Sequence, residues 1–143
     1  MNTQDHDLQS NSRATTRLRD LVSRLDESAM SRSLGGGWTV AFALVHLAFW
    51  DVRHDVALHR YMRGDEFPAE DVTTNATLEA IAPLFDAGEA GAIAVQAAEQ
   101  LDATLEALTG DQLESLRQTG FAYAIERWRH REDHVAQIEA VLP

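Results

Sequence analysis

The sequence contains neither cysteine nor lysine among its 143 residues. The lack of cysteine excludes disulfide bonds, thiolate metal ligands and a cysteine nucleophile. All 12 basic residues are arginines, and against 23 acidic residues they leave a formal net charge of −11. An acidic surface repels phosphate backbones and anionic lipids, so we expect no broad nucleic-acid-binding face and no membrane partner.

Proline and long apolar runs are also scarce. Only Pro68, Pro83 and Pro143 occur, and long stretches are rich in Ala, Leu, Glu and Gln, which favour helix. The longest apolar run, "WTVAFALVHLAFW", is too short to cross a bilayer and contains a histidine. The first residues, "MNTQDHDLQSNSR", lack the basic and apolar regions of a secretory signal. We therefore expect a soluble, cytoplasmic protein.

Hydrophobic spacing predicts four long helices and no strand. The first follows a polar segment, residues 1–14, that we expect to be flexible, and it carries Leu18, Leu21 and Leu25 at helical spacing. After a triple-glycine turn, Thr39 is a predicted N-cap for a second helix running to about Met62. The other two are predicted over residues 89–108 and 121–142, with shorter helical pieces in the connections.

The long connection between the second and third helices, which contains Pro83, is typical of a crossover in a four-helix bundle. The fold class that the sequence predicts is therefore all-α. Residues 15–143 are predicted to form a single domain.

Three histidines suggest a metal site. His130 and His134 are four apart on the last helix, so they share one face, and His46 interrupts an almost wholly apolar helix. One histidine from a facing helix plus two at this spacing can form a three-nitrogen site with open positions. A second interpretation stays open, in which the pair is solvated and His46 is a core residue bonded to a carbonyl. His54 and His59 are predicted to lie on the surface.

Two motifs carry a family resemblance. "GGGWTVAFALVHLAFWD" has a Trp before the second helix and a His-Leu pair about eight residues later, and "HREDHVAQIEAVL" has two histidines four apart with a trailing "QIE". In order, separation and total length these resemble the DinB-like superfamily, especially its maleylpyruvate isomerase-type branch that works with low-molecular-weight thiols. The isomerase itself tends to have an acid at the position of His130 and a further C-terminal domain, so these differences argue against isomerase activity.

The resemblance implies a four-helix bundle that holds a divalent metal, commonly Zn or Ni. Carried over position by position, the ligands are His46, His130 and His134. It also implies a small-molecule ligand or thiol as a partner, a possible low-molecular-weight thiol cofactor, and pairing as a homodimer, which the Ala-rich third helix could mediate.

Activity would also need acid–base and binding groups near the metal. Glu126 and Asp133 are candidate proton acceptors and Tyr123 a candidate donor, while Trp50 and Arg53 lie on the same side of their helix as His46 and are candidate substrate-binding residues. Solvated or core positions are the alternatives for each of them.

Three hypotheses follow from the sequence. The first is a metal-dependent thiol transferase or hydrolase. The second is a non-catalytic metal-binding module for stress response or sensing, and the third is a helical protein whose histidines bind no metal.

Overall fold

A computed structural model describes residues 2–143 and shows a helical protein with one small hairpin. Within these residues there are seven α-helices and two short strands, with 3-10 turns at Ala82–Leu84, Ala87–Glu89 and Ala122–Ala124. In chain order the elements are α1 Thr3–Ser23, α2 Glu27–Met30, β1 Ser33–Gly35, β2 Trp38–Thr39, α3 Val40–Met62, α4 Val72–Ile81, α5 Ala90–Ala107, α6 Gly110–Gln118 and α7 Arg127–Glu139.

The helical fold class is confirmed, and several boundaries need correction. Helix α3 starts and ends where the sequence predicted, because Thr39 accepts a hydrogen bond from the Phe42 N–H as its N-cap. The last helix is shorter than predicted: a 3-10 turn occupies residues 122–124 and α7 proper begins at Arg127. The connection between α3 and α5 contains the helix α4.

The N-terminal segment predicted to be flexible is helical. Helix α1 begins at Thr3, where the side chain of Asn2 accepts a hydrogen bond from the Asp5 N–H. Its polar residues are buried against the far end of the chain: Asp7 accepts from Arg117 and Trp128, and Asn11 donates to the Ile125 carbonyl. These partners lie more than 100 residues away, so the local sequence gives no sign of them.

A two-stranded hairpin, which the sequence pattern did not predict, precedes α3. Strand β1 pairs antiparallel with β2 through a turn in which Gly35, Gly36 and Gly37 have φ values of 91°, 62° and 83°. Residues with a side chain rarely adopt this conformation, which explains the run of three glycines. The turn places Trp38 directly beside the start of α3.

Four helices surround the interior. Helix α3 packs against α5 and α7, and α1 packs against the same two helices. Buried apolar residues form two clusters at successive levels, one that includes Leu44 and Leu47 of α3 and one that includes Leu58. Between these levels α3 carries the buried polar residues Asp51 and His54, which face α7 and the residues just before it. No helix within residues 2–143 has the length and apolar character needed to cross a membrane.

Candidate metal centre

Three histidine side chains converge where α3 meets α7. His46 comes from the second turn of α3, and His130 and His134 come from successive turns of α7. The Nε2 atom of His130 lies 3.0 Å from Nε2 of His46 and 3.2 Å from Nε2 of His134. One ring nitrogen from each residue lies within 4.8 Å of the others. The structure therefore brings together the three residues that the sequence singled out.

This spacing suits a transition-metal ion. Imidazole nitrogens bind zinc at about 2.0–2.1 Å, which separates two ligands by about 2.9 Å at a 90° angle and about 3.4 Å at the tetrahedral angle. The two short Nε2 separations, 3.0 and 3.2 Å, fall inside that range. Three neutral nitrogen ligands with no protein carboxylate among them suit Zn, Ni, Fe or Cu rather than Ca or Mg. The three histidines could hold a metal ion.

The outer ring nitrogens differ in their partners. Nδ1 of His134 lies 2.7 Å from Oε1 of Gln137, an amide oxygen that can only accept, so Nδ1 carries the proton and Nε2 has a free lone pair. That is the tautomer that a metal requires. Nδ1 of His46 is buried and, within residues 2–143, has no hydrogen-bond partner.

His130 has the opposite arrangement. Arg127 donates from Nη2 to Nδ1 of His130 over 2.9 Å, and a guanidinium can only donate. The proton of the neutral ring therefore sits on Nε2, between the Nε2 acceptors of His46 and His134. A metal can bind Nε2 of a neutral His130 ring only if this proton moves to Nδ1, which breaks the Arg127 hydrogen bond.

Burial keeps the three rings uncharged at neutral pH. It lowers the pKa of His46 to about 4, and the charges of His134 and Arg127 act in the same direction. Burial and then the Arg127 guanidinium lower the pKa of His130 to about 2. Burial also lowers the pKa of His134, although Gln137 opposes it. Neutral imidazole is the form that binds metals, so the cluster is in the right charge state.

Aromatic residues wall one side of the cluster. The Trp38 ring stacks on His134 with centroids 5.7 Å apart and tilts over His46 at 4.9 Å, and Phe42 contacts His46 as well. Trp38 and Phe42 also line a cavity of about 490 Å³, together with Glu79 and Phe85. A cavity of this size is typical of small-molecule sites. Trp38, directly after the glycine turn, thus borders both the histidine cluster and the cavity.

A family model described as the DinB superfamily matches residues 11–138, which include all three histidines. The chain belongs to the DinB superfamily. Neither the curated proteins nor the solved structures contained a match to the chain.

A buried ion-pair layer lies beside the histidine cluster of this DinB-superfamily protein. Asp51 on α3 accepts hydrogen bonds from Nε of Arg127 at 2.9 Å and from Nε of Arg131 at 3.0 Å. Arg131 is fully buried and also donates to Asp102 and Thr15. The layer fixes the rotation of α7 against α3, and Arg127 links it directly to His130. This layer was not predicted, although an acid in an apolar helix and two arginines four apart were visible signals in the sequence.

Of the candidate acid–base residues, Tyr123 and Glu126 lie just before α7 and Asp133 lies within it. The carboxylate of Glu126 accepts from Nε of Arg129 at 3.0 Å and lies 3.7 Å from Arg117, while Asp133 is exposed. Tyr123 is half-buried beside His54, and burial followed by the charge of Glu70 raises its pKa, so the hydroxyl keeps its proton at neutral pH. Their catalytic roles stay predictions.

The candidate substrate-binding residues connect α3 to the segment that follows it. Trp50 is buried and donates from Nε1 to Oδ1 of Asn75 on α4. Arg53 donates to the carbonyl of Ala69, and its guanidinium carbon lies 5.3 Å from the centre of the Trp50 ring. These contacts hold the connection between α3 and α5 against α3, and a substrate contact at either residue stays a prediction.

His54 was predicted to lie on the surface, and that prediction is wrong. Its side chain is fully buried beneath Phe67 and Tyr123, and Nδ1 lies 2.6 Å from the Trp50 carbonyl oxygen. The angle of His54 around an isolated helix placed this residue away from His46. That angle could not show that the connection after α3 and the residues before α7 cover this side of the helix.

Proposed function

We propose that this DinB-superfamily protein is a metal-dependent enzyme of the thiol-dependent transferase or hydrolase type, with Zn or Ni held by His46, His130 and His134. The observation that carries the proposal is the convergence of three neutral Nε2 atoms at metal-ligand spacing. A metal held by three neutral ligands supplies a site that lowers the pKa of a bound water or thiol.

Residues around the histidine cluster would supply the other roles that the enzyme needs. Gln137 orients the His134 ring by accepting a hydrogen bond from Nδ1, and Arg127 donates to Nδ1 of His130 in the metal-free protein. Trp38 and Phe42 shield one side of the cluster from water and border the neighbouring cavity. We further propose Tyr123 as a proton donor and Glu126 as a proton acceptor, with Arg53 and Trp50 as contacts for the substrate.

One observation favours a second candidate, a non-catalytic metal-binding module of the stress-response or sensing kind. His46 and His134 are both buried, and the aromatic wall lies directly over them. The carboxylate of Glu126 is already engaged by two arginines. A centre covered in this way can bind a metal without turning over a substrate.

Elemental analysis of the untagged protein tests the metal centre. We expect about one equivalent of Zn or Ni in the wild type and none in His46→Ala or His134→Ala, because two imidazoles are too few to retain the ion through dialysis. His59→Ala is the matched control, since the His59 side chain is 51% exposed and lies outside the cluster. Circular dichroism establishes that each variant is folded. Wild-type protein that holds no metal, and takes up none from Zn or Ni solutions, contradicts the proposal.

Turnover then separates the two candidates. The metal-loaded protein is assayed with low-molecular-weight thiols and electrophilic acceptors, and with ester and amide substrates, beside His134→Ala. A metal-dependent rate supports the enzyme. A stoichiometric metal without turnover in either assay supports the binding module.

Three further expectations belong to the same proposal: a four-helix bundle in which residues 63–89 form the crossover, a cytoplasmic location and a homodimer. The exposed apolar side chains of Val52 and Val56 on α3 and Ile93 on α5 support the homodimer. Light scattering that gives the mass of one chain, 15.9 kDa, at micromolar concentration would argue against the pairing.

A further inference from the structure

His54 is a buried histidine that the metal centre does not use. It lies on α3 two turns beyond His46, and the Asp51–Arg127 ion pair comes between the two positions. Its Nδ1 lies 2.6 Å from the carbonyl oxygen of Trp50, which can only accept a hydrogen bond. Nδ1 therefore carries the proton of the neutral ring, and Nε2 presents a lone pair.

That lone pair faces a second acceptor. Nε2 of His54 is buried and has no hydrogen-bond partner within residues 2–143. Oε1 of Glu70 lies 3.7 Å from this nitrogen, which is too far for a direct hydrogen bond. Burial lowers the pKa of His54 to about 4, so at neutral pH the ring does not supply a proton to the carboxylate. Both atoms are satisfied together only by a group that donates at least two hydrogens.

Aromatic rings surround the same histidine. Phe67 is stacked at 6.1 Å between centroids, and Tyr123 and Trp50 approach at 5.7 and 5.9 Å. Aromatic rings attract cations, and they exclude water from a hydrogen bond beside them. The surroundings thus favour a donor that carries positive charge and a short apolar chain.

The nearby positive charges are already balanced in part. Arg127 is paired with Asp51 at 2.9 Å. Arg53 donates to the Ala69 carbonyl, and its charge helps to lower the pKa of Asp71, after the hydrogen bonds from Thr73. The carboxylate of Glu70 is 47% exposed, so it is open to a ligand from solvent.

We propose that His54 and Glu70 form a subsite for the primary ammonium group of a small aliphatic amine. One N–H donates to Nε2 of His54 and a second to the Glu70 carboxylate, and the carbon chain lies against Phe67 and Tyr123. A hydroxyl group has a single hydrogen to donate, and a carboxylate or a quaternary ammonium has none. None of these groups can donate to both acceptors. The subsite does not depend on the metal, and a negative result at the metal centre leaves it intact.

Nitrogen NMR of the full-length protein tests the subsite with n-butylammonium chloride as the probe. We expect a saturable shift of the His54 Nε2 resonance, because the lone pair gains a hydrogen bond, with the signal assigned through His54→Phe. Tetramethylammonium chloride at equal ionic strength and 1-butanol are the matched probes, and neither should shift it. Glu70→Gln should weaken binding about tenfold or more, since it removes the charge. Glu66→Gln, an exposed acid on the same segment, should leave it unchanged.

Three results would overturn the proposal. An equal shift with 1-butanol shows an apolar pocket without ammonium recognition, and no shift with n-butylammonium shows that the acceptors hold water only. Unchanged binding in Glu70→Gln excludes the paired acceptors. Glu70 is partly exposed, so this variant is expected to fold and decides the question even where His54→Phe does not.

Discussion

Asp51→Ala is expected to lower the free energy of unfolding by about 3–5 kcal/mol, the usual effect of breaking a buried ion pair by removing one partner. Asp51 is 1% exposed and accepts from both Arg127 and Arg131. Its removal leaves two buried guanidinium groups with less negative charge around them. That penalty is larger than the contribution of the lost hydrogen bonds alone.

The two arginines would respond differently. Burial opposes the charged form of Arg131, but the carboxylates of Asp51 and Asp102 outweigh it and raise its pKa above the ordinary value. Without Asp51, Arg131 still has Asp102 at 2.7 Å. Arg127 keeps only His130 and the Tyr123 carbonyl among its hydrogen-bond partners. We therefore expect the region around Arg127 and the start of α7 to lose order first.

Urea denaturation followed by circular dichroism measures the effect. Asp133→Ala is the matched control, because Asp133 is an exposed acid on α7 beside the same cluster, and its loss should change stability by less than about 0.5 kcal/mol. If Asp51→Ala unfolds at nearly the wild-type urea concentration, the ion-pair layer contributes little to stability. Amide exchange within residues 127–134 then shows whether α7 is held by other contacts.

Local signals in the sequence predicted part of the fold. The limits of α3 were predicted correctly because local sequence marks them, with Thr39 as the N-cap and a long apolar run after it. The start of α1 and the hairpin were not predicted. Asp7 and Asn11 are buried because partners from the far end of the sequence satisfy them, and strands of two or three residues are too short to show alternation.

The candidate site divides in the same way. His130 and His134 were found because a spacing of four residues places two side chains on one helix face. His46 was found as a histidine inside an apolar helix, and the resemblance then implied that it is their partner. The environment of His54 and the burial of Arg131 depend on how α7 and the connection between α3 and α5 pack. Hydrophobic periodicity in the sequence cannot predict that packing. Asp51 could be predicted in part. A charged residue inside an apolar helix indicates a buried partner, but the sequence does not show which residue that partner is.

Loading the protein with Zn²⁺ or Ni²⁺ is expected to stabilise it by about 4 kcal/mol when free metal exceeds the dissociation constant a thousandfold. The folded protein gathers three neutral imidazoles within 4.8 Å, whereas the unfolded chain holds His46 more than 80 residues from His130. Metal therefore binds the folded state in preference. Residual binding by the unfolded pair His130 and His134 would reduce the gain.

Thermal and urea unfolding at neutral pH, with the metal and with a chelator, measure this difference. His134→Ala should lose nearly all of the stabilisation and His59→Ala should keep it. Of these two residues, only His134 places a nitrogen in the cluster. A chelator effect of equal size in both variants would place the metal elsewhere.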